Sequence, residues 1–217
     1  TQKPAGIGAG TMGAGIAPLV ADVSIPVVLL DIVPPKLTEE DQAKGVDPSS
    51  RAFRNRFAQA GKDRVCDPKR GTLYDPDHAS LITVGNLEDD LELLRDCDWV
   101  VEVIIGDLKA KQELLGKIQS YIKPGAFLTS NTSGVSITAI AQALPQDMRG
   151  QFLGTHLFNP PRFMHLFELI PGAETCPDRM AFMKDFGERV LGKGVVVAKD
   201  TPNFIGNRIG VYQSVQC

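Results

Sequence analysis

Short apolar runs that alternate with helical patterns constrain the fold of this chain more than any other feature of its sequence. Several runs are rich in Val, Ile and Leu and lack polar alternation, which is typical of strands covered on both faces. The candidate strands are 3–7, 25–31, 79–85, 98–105, 126–131, 151–156, 165–170 and 194–199, and the candidate helices are 11–22, 108–121, 136–143 and 178–191. This order predicts an α/β fold with a doubly wound, mostly parallel sheet.

Three segments depart from the simple alternation. Residues 36–75 are polar and rich in arginine, and we expect a helical insertion followed by turns. The strands at 151–156 and 165–170 are joined only by the short link LFNPPRFM, so this edge of the sheet is expected to turn antiparallel. The proline of KDTPNF breaks the last strand, which predicts a domain boundary between residues 1–200 and 201–217. The final helical pattern reaches no cap, so we expect the chain to be a fragment of a longer protein.

The sequence GAGTMG follows the first candidate strand and opens the first candidate helix. In that position Gly8 permits a tight turn, Gly10 lets the backbone approach a pyrophosphate, and Gly13 lets the helix pack closely on the strand. Asp31 ends the next strand, where its carboxylate would accept hydrogen bonds from ribose hydroxyls and repel a 2′-phosphate. The candidate cofactor-binding residues are Gly8, Gly10, Thr11, Met12, Gly13 and Asp31, and they predict NAD rather than NADP.

The alternative interpretation of the glycine motif is a glycine-rich turn with a capping aspartate. Pro4 and Gly6 weaken the first candidate strand. Pro18 removes a hydrogen bond inside the first helix, so we expect a kink there without loss of the fold.

A second polar motif, SNTSGVSIT at residues 130–138, lies at the carboxyl end of a candidate strand. Open α/β sheets bind ligands at this edge, so Asn131, Thr132 and Ser133 are expected to face a crevice. For Ser133, capping of the following helix is an equally good interpretation.

His156 ends one of the two late strands, and Glu168 lies in the other. A turn between these strands would bring imidazole and carboxylate together, which fixes the tautomer and leaves one ring nitrogen free to take a proton. A single histidine more often has a structural role than a catalytic one. We interpret His78 and His165 as structural. The sequence lacks a nucleophile elbow and a metal-ligand helix, which argues against a hydrolase.

Composition narrows the range of partners. The formal net charge of −3 argues against a general nucleic-acid-binding surface, and no apolar run reaches the length of a membrane span. The four cysteines stand far apart without metal-ligand spacing, so we expect reduced thiols and a cytoplasmic protein. One region is locally basic, because it holds Arg51, Arg54, Arg56, Lys62, Arg64, Lys69 and Arg70 against two aspartates.

Five segments together resemble the NAD-binding part of the L-3-hydroxyacyl-CoA dehydrogenases. They are GAGTMG, LLD, SNTSGVSIT, THLFNPPRFMHLFELIPG and KDTPNFIGNRIG, and they occur in the order and spacing of that family. The segments LLDIVP, LITVGNLEDD and FLGTHLFNPPRFM are most similar in sequence to the bacterial multifunctional fatty-acid oxidation proteins. The resemblance implies a Rossmann-like domain, with residues 201–217 as the first helix of a C-terminal helical domain.

The resemblance also implies a reaction and roles for particular residues. His156 matches the family's catalytic base, Glu168 the carboxylate that orients it, Ser133 the hydroxyl that binds the substrate oxygen, and Asn207 the amide beside it. The implied reaction is NAD-dependent oxidation of L-3-hydroxyacyl-CoA to 3-oxoacyl-CoA in β-oxidation. The implied partners are an acyl-CoA, whose phosphates would lie against the basic residues 51–70, and either a second copy of the chain or the rest of a multifunctional polypeptide.

One departure from the family pattern keeps other interpretations open. The family usually has an acidic residue near the nicotinamide where this chain has Gly106, and we expect the neighbouring Asp107 to point elsewhere. A noncatalytic dinucleotide- or CoA-binding member of the family is therefore the alternative. A related β-hydroxyacid dehydrogenase with a lysine base is disfavoured by the pair of His156 and Glu168.

Overall fold

A computed structural model describes residues 2–69 and 71–216 and places their strands in one eight-stranded sheet. The strands are β1 (Pro4–Ile7), β2 (Val27–Asp31), β3 (Ile82–Asn86), β4 (Trp99–Glu102), β5 (Phe127–Ser130), β6 (Phe152–Leu157), β7 (Leu166–Pro171) and β8 (Gly194–Val197). Their order is β3-β2-β1-β4-β5-β6-β7-β8, and all pairs are parallel except β6 with β7. The predicted doubly wound, mostly parallel sheet and its antiparallel turn are thus confirmed.

Helices form most of the connections between the strands. They are α1 (Thr11–Ala21), α2 (Glu39–Ala43), α3 (Arg51–Arg54), α4 (Arg56–Cys66), α5 (Leu108–Ile118), α6 (Ile137–Ala141), α7 (Gln146–Arg149), α8 (Pro177–Arg189) and α9 (Gly206–Gln216). The insertion predicted for residues 36–75 contains α2, α3 and α4, followed by an irregular segment. Helix α6 is shorter than predicted, and α7 was not predicted. Helix α1 extends past its internal Pro18, which is buried.

The core lies on both faces of the sheet, as the unbroken apolar runs predict. In β4, Val100 belongs to one apolar cluster together with Leu115 and Leu128, whereas its neighbours Trp99 and Val101 belong to the cluster on the other face. Because side chains alternate along a strand, every residue of β4 is buried. This double cover explains why the strand sequence shows no polar alternation.

A buried lysine fixes the link between β6 and β7. The ammonium group of Lys193, which is 6% exposed, donates to the carbonyl oxygens of Pro161, of Met164 at 2.9 Å and of Arg162 at 3.5 Å. Burial lowers the pKa of Lys193 below its usual value. The ammonium satisfies three carbonyls of one link, so the link is held close to the end of the strand that carries His156.

We predict that Lys193→Met lowers the free energy of unfolding by about 2 to 3 kcal/mol, because buried carbonyls lose a charged donor. Urea denaturation followed by the fluorescence of Trp99 measures the change. The matched control is Lys184→Met, which removes an exposed pair with Glu188 at 2.7 Å and should cost about 0.5 kcal/mol or less. Equal losses in the two variants would contradict the role of Lys193.

Candidate functional site

A cavity of about 630 Å³ opens at the carboxyl edge of the sheet, where the strand order reverses between β1 and β4. Such a reversal is the usual ligand site of open α/β sheets. Eight of the residues predicted for the site line the cavity: Gly10, Thr11, Met12, Asn131, Thr132, Ser133, His156 and Asn207. The structure therefore brings together segments that lie up to two hundred residues apart in the chain.

The glycine-rich loop has the geometry that the motif predicts. Gly8 has a φ of 105°, which L-residues rarely adopt, and a Cβ atom at Gly13 would lie only 1.7 Å from the carbonyl oxygen of Gly8. A Cβ at Gly10 would meet nothing within 4 Å, so this glycine faces open space. Gly10 is the N-cap of α1, no side chain caps the helix, and its first turn carries no acidic residue. These uncapped amides and the positive end of the helix dipole fit a phosphate group.

Asp31 lies beside the loop at the end of β2. Its carboxylate accepts the backbone N–H of Ala9 at 2.7 Å and that of Ile32 at 2.7 Å. Part of the alternative interpretation therefore holds, because Asp31 braces the glycine turn. A carboxylate has about four acceptor positions, so these two bonds leave room for a ligand hydroxyl.

His156 and Glu168 form a buried pair. They are directly opposite each other in the antiparallel ladder of β6 and β7, and His156 Nδ1 lies 2.6 Å from Glu168 Oε2. Their residues are 5% and 0% exposed. Because an ionised carboxylate can only accept, the Nδ1 atom carries the proton and Nε2 is the nitrogen that remains for chemistry.

The second oxygen of Glu168 is also engaged. Glu168 Oε1 accepts the backbone N–H groups of Ile205 at 3.0 Å and Gly206 at 2.7 Å, at the start of α9. The ring of Phe158 lies against the imidazole of His156, with ring centroids 4.3 Å apart. The orientation of the imidazole is therefore fixed by a carboxylate that is itself fixed by backbone amides.

Ser133 and Asn207 meet across the cavity wall. Asn207 Nδ2 donates to the carbonyl oxygen of Ser133 at 3.2 Å, and the Ser133 residue is exposed. The cap of α6 is Ser136, whose hydroxyl accepts from the N–H of Ala139 at 3.2 Å. The capping interpretation of Ser133 is therefore wrong, and Ser133 lies in the wall of the cavity.

A buried charge network under the cavity was missed from the sequence. Glu102 at the end of β4 accepts from Lys111 Nζ at 2.8 Å, from the N–H of Ile104 at 2.7 Å and from the hydroxyl of Ser130. Lys111 also donates to the carbonyl oxygen of Ile104 at 2.9 Å, and it lines the cavity. A charged residue inside the apolar run WVVEVII was the available signal.

The structure also accounts for the departure at Gly106. This residue has a φ of 155°, and a Cβ atom there would lie 2.9 Å from the Cβ of Ala110. Asp107 does not occupy the cavity, because its carboxylate caps α5 by accepting the N–H of Ala110 at 3.0 Å. A side chain at residue 106 is thus disfavoured by the local backbone.

Much of the basic cluster in the insertion is neutralised within the fold. Arg54 pairs with Asp89 at 2.5 Å and with Glu88 at 2.9 Å, and the Arg54 guanidinium, followed by the Asn86 amide, lowers the pKa of Asp89 to about 2. Arg51 pairs with Asp90 at 2.9 Å, and Arg56 with Asp41 at 2.7 Å.

The other basic side chains are placed differently. Lys62 donates to the carbonyl oxygen of Ile82 at 2.7 Å, and Arg64 to that of Ala9 at 3.3 Å. Arg70 lies outside the described residues. A local charge count therefore overstates the positive charge that this region offers to a ligand.

Two other kinds of site are absent from the described part of the chain. Residues 2–69 and 71–216 contain no group of three or more His, Cys, Asp or Glu side chains placed to hold a metal ion. None of the helices in these ranges combines the length and the apolar character needed to cross a bilayer.

Comparisons with known proteins match this chain to 3-hydroxyacyl-CoA dehydrogenases and to a fatty-acid oxidation enzyme. The family model described as "3-hydroxyacyl-CoA dehydrogenase, NAD binding domain" matches residues 4–201. A "Probable 3-hydroxyacyl-CoA dehydrogenase" of Bacillus subtilis is 46% identical over 211 residues, which are 97% of this chain and 27% of that protein. A "Putative fatty acid oxidation complex trifunctional enzyme" of Rickettsia felis is 40% identical, with the same two coverages.

A solved structure shows the same similarity. The (S)-3-hydroxybutyryl-CoA dehydrogenase PaaH1 of Ralstonia eutropha is 30% identical, with a TM-score of 0.72 over 96% of this chain and 67% of that one. The chain thus spans about a quarter of the length of the two bacterial relatives and two thirds of this solved chain.

The glycine loop gives a test with an internal control. We predict that Gly10→Ala changes the free energy of unfolding by about 1 kcal/mol or less, because the added methyl meets no protein atom, yet weakens NADH binding by roughly tenfold or more. Gly13→Ala should instead lower the free energy of unfolding by about 3 kcal/mol, because its methyl collides with the Gly8 carbonyl. Urea unfolding and NADH fluorescence titration separate the two effects. Unfolding of the Gly10 variant, or undiminished NADH binding by it, would contradict this assignment.

Proposed function

The chain belongs to the 3-hydroxyacyl-CoA dehydrogenase family, as a match to its NAD-binding domain, and from this premise we propose that the complete protein oxidises L-3-hydroxyacyl-CoA to 3-oxoacyl-CoA in fatty-acid β-oxidation. The observation that carries the proposal is the buried pair of His156 and Glu168, which opens on the same cavity as the glycine loop. A noncatalytic family member would have no need of a buried imidazole that is bonded to a carboxylate through Nδ1 and keeps Nε2 for a substrate.

In the proposed reaction, His156 Nε2 removes the proton of the 3-hydroxyl group. Glu168 stabilises the imidazolium that results, because its charge lies against Nδ1. Bound NAD supplies the acceptor for the hydride that leaves C3. The hydroxyl of Ser133 and the amide of Asn207 hold the substrate oxygen, and both residues line the cavity with His156.

The cofactor is held by the loop and by Asp31 in this proposal. The uncapped first-turn amides of α1, around Thr11 and Met12, bind the pyrophosphate. Asp31 accepts from the adenosine ribose, and its charge disfavours the 2′-phosphate of NADP. Lys111, which pairs with Glu102, lines the same cavity as the glycine loop.

The CoA moiety is assigned to Arg64, a basic residue of the insertion whose side chain contacts the glycine loop. Gly61 of α4 packs on Ala9 so closely that a Cβ atom there would lie 2.6 Å from the Ala9 carbonyl oxygen. Arg64, one turn later, is exposed and reaches the same oxygen. Arg64 is therefore a better candidate for the CoA phosphates than Arg51, Arg54 or Arg56, whose charges are paired.

The proposal extends to the organisation of the protein. Residues 1–200 form the NAD-binding domain, and residues 201–217 start a C-terminal helical domain. The similarity to a trifunctional enzyme of Rickettsia felis supports a multifunctional polypeptide, and a homodimer is the other arrangement we propose. The reduced thiols predicted from cysteine spacing support a cytoplasmic location.

We predict that the full-length protein reduces acetoacetyl-CoA with NADH, and that His156→Ala lowers kcat by roughly 10²- to 10⁴-fold, equivalent to roughly 3 to 5 kcal/mol in the barrier. Loss of NADH absorbance measures the rate. Glu168→Gln should also lower kcat. A glutamine side chain has one acceptor oxygen and one NH₂ group, so the NH₂ group would face either Nδ1–H of His156 or the backbone N–H groups of α9.

The control for this experiment is His165→Ala. His165 is exposed on the link between β6 and β7 and does not line the cavity. Its substitution should leave the rate within about twofold of the unsubstituted protein. An unsubstituted protein that binds NADH but shows no turnover would favour the noncatalytic alternative.

A further inference from the structure

The polar wall of the cavity comes from two segments that are far apart in the chain. One is the stretch 131–135 after β5, and the other contains Asn203, in the link after β8, and Asn207, in the first turn of α9. They touch through the bond from Asn207 to the Ser133 carbonyl, and a Cβ at Gly134 would lie 3.0 Å from Asn203 Oδ1. The relative position of the two segments therefore decides where Ser133 and Asn207 present their polar groups.

Asp200 ties these segments together. Its Oδ1 atom accepts the N–H of Ile137 at 2.8 Å, and its Oδ2 atom accepts the N–H of Thr138 at 2.8 Å and the hydroxyl of Ser136 at 2.9 Å. These donors begin three residues after Ser133. Asp200 itself lies directly before the link that leads to Asn207. Its carboxylate therefore connects the segment that contains Asn207 to the segment that follows Ser133.

The link after Asp200 is bent and needs support at both ends. Asn203 and Phe204 have φ angles of 63° and 45°, which are costly for residues with a side chain. Phe204 is 2% exposed and its ring centroid lies 5.8 Å from that of His156. Immediately after it, the N–H groups of Ile205 and Gly206 bind Glu168. Asp200 thus anchors the link on the Ser133 side, and Glu168 anchors it on the His156 side.

We propose that Asp200 is a positioning residue that sets the distance between the substrate-oxygen site at Ser133 and Asn207 and the base at His156. This inference rests on the proposed function. Burial acts to raise the pKa of Asp200, but the hydrogen bonds from Thr138, Ile137 and Ser136 hold that pKa below its usual value, so the carboxylate stays charged near neutral pH. Asparagine is a poor substitute, because its single oxygen cannot serve three donors and its NH₂ group would face one of them.

The experiment compares Asp200→Asn with the unsubstituted full-length protein and with Asp75→Asn. Asp75 is a suitable control because its carboxylate also accepts a backbone N–H at a helix start: it caps the 3-10 helix Pro76–Leu81 by accepting the N–H of Asp77 at 3.0 Å. Asp75 does not line the cavity. We expect Asp200→Asn to lower kcat/KM for acetoacetyl-CoA by roughly tenfold or more, since small misplacements of reacting groups are costly. The dissociation constant of NADH should stay within about twofold, and Asp75→Asn should stay within about twofold in both quantities.

Two further variants guard against a merely structural effect. Asp200→Glu keeps the charge but moves it by one methylene, so it should recover part of the lost kcat/KM. A double-mutant cycle with Asn207→Ala should be non-additive, because both substitutions act on the same contact between the two segments. Additive effects, or a loss of NADH binding that parallels the loss of turnover, would overturn the proposal.

The outcomes also separate this inference from the function on which it rests. No turnover by the unsubstituted protein would overturn both. Normal turnover by the unsubstituted protein and by Asp200→Asn would overturn the role of Asp200 alone. A selective loss of kcat/KM in Asp200→Asn, with NADH binding and the urea midpoint retained, would support both.

Discussion

The rest of the site depends on the hydrogen bonds that the carboxylate of Glu168 accepts. It is fully buried, and a buried charge is tolerated only when it is paired and hydrogen-bonded. One oxygen meets the imidazole of His156, and the other accepts two amides at the start of α9. Those three bonds join a strand pair, the imidazole of His156 and the start of the last helix, so none of these parts can shift without leaving the charge partly unsatisfied.

The glycine loop is a second constraint, and it is steric. The close approach of α1 to β1 at Gly13, and of α4 to the loop at Gly61, leaves no room for side chains at either glycine. Asp31 and Arg64 hold the N–H and the carbonyl of Ala9 between them. The helical insertion therefore serves as a brace for the loop, a role that its polar, arginine-rich sequence did not suggest.

Much of the fold could be predicted from the sequence, for a physical reason. Strands buried on both faces, such as β4 and β6, must be largely apolar and were therefore visible as runs, whereas the half-exposed β8 was visible through its valines. The short link between β6 and β7 left no length for a parallel crossover. The same short link predicts that His156 and Glu168 lie on neighbouring strands, whereas the register that sets them opposite each other is seen only in the structure. The role of the basic cluster could not be predicted in this way, because Arg54 finds its acidic partners more than thirty residues along the chain. The pair of Glu102 and Lys111 was missed because nothing in a linear pattern reveals which buried charge faces which.

The antiparallel pairing of β6 with β7 has a consequence for how this chain can vary. His156 faces Glu168 because the two residues share one rung of a ladder, and a slip of one residue would turn the acid to the opposite side of the sheet. The alignment of acid and base is thus inherited from main-chain geometry and not from the loop that joins them. A substitution at an exposed position of that loop, such as Phe163, therefore leaves the pairing of His156 with Glu168 in register.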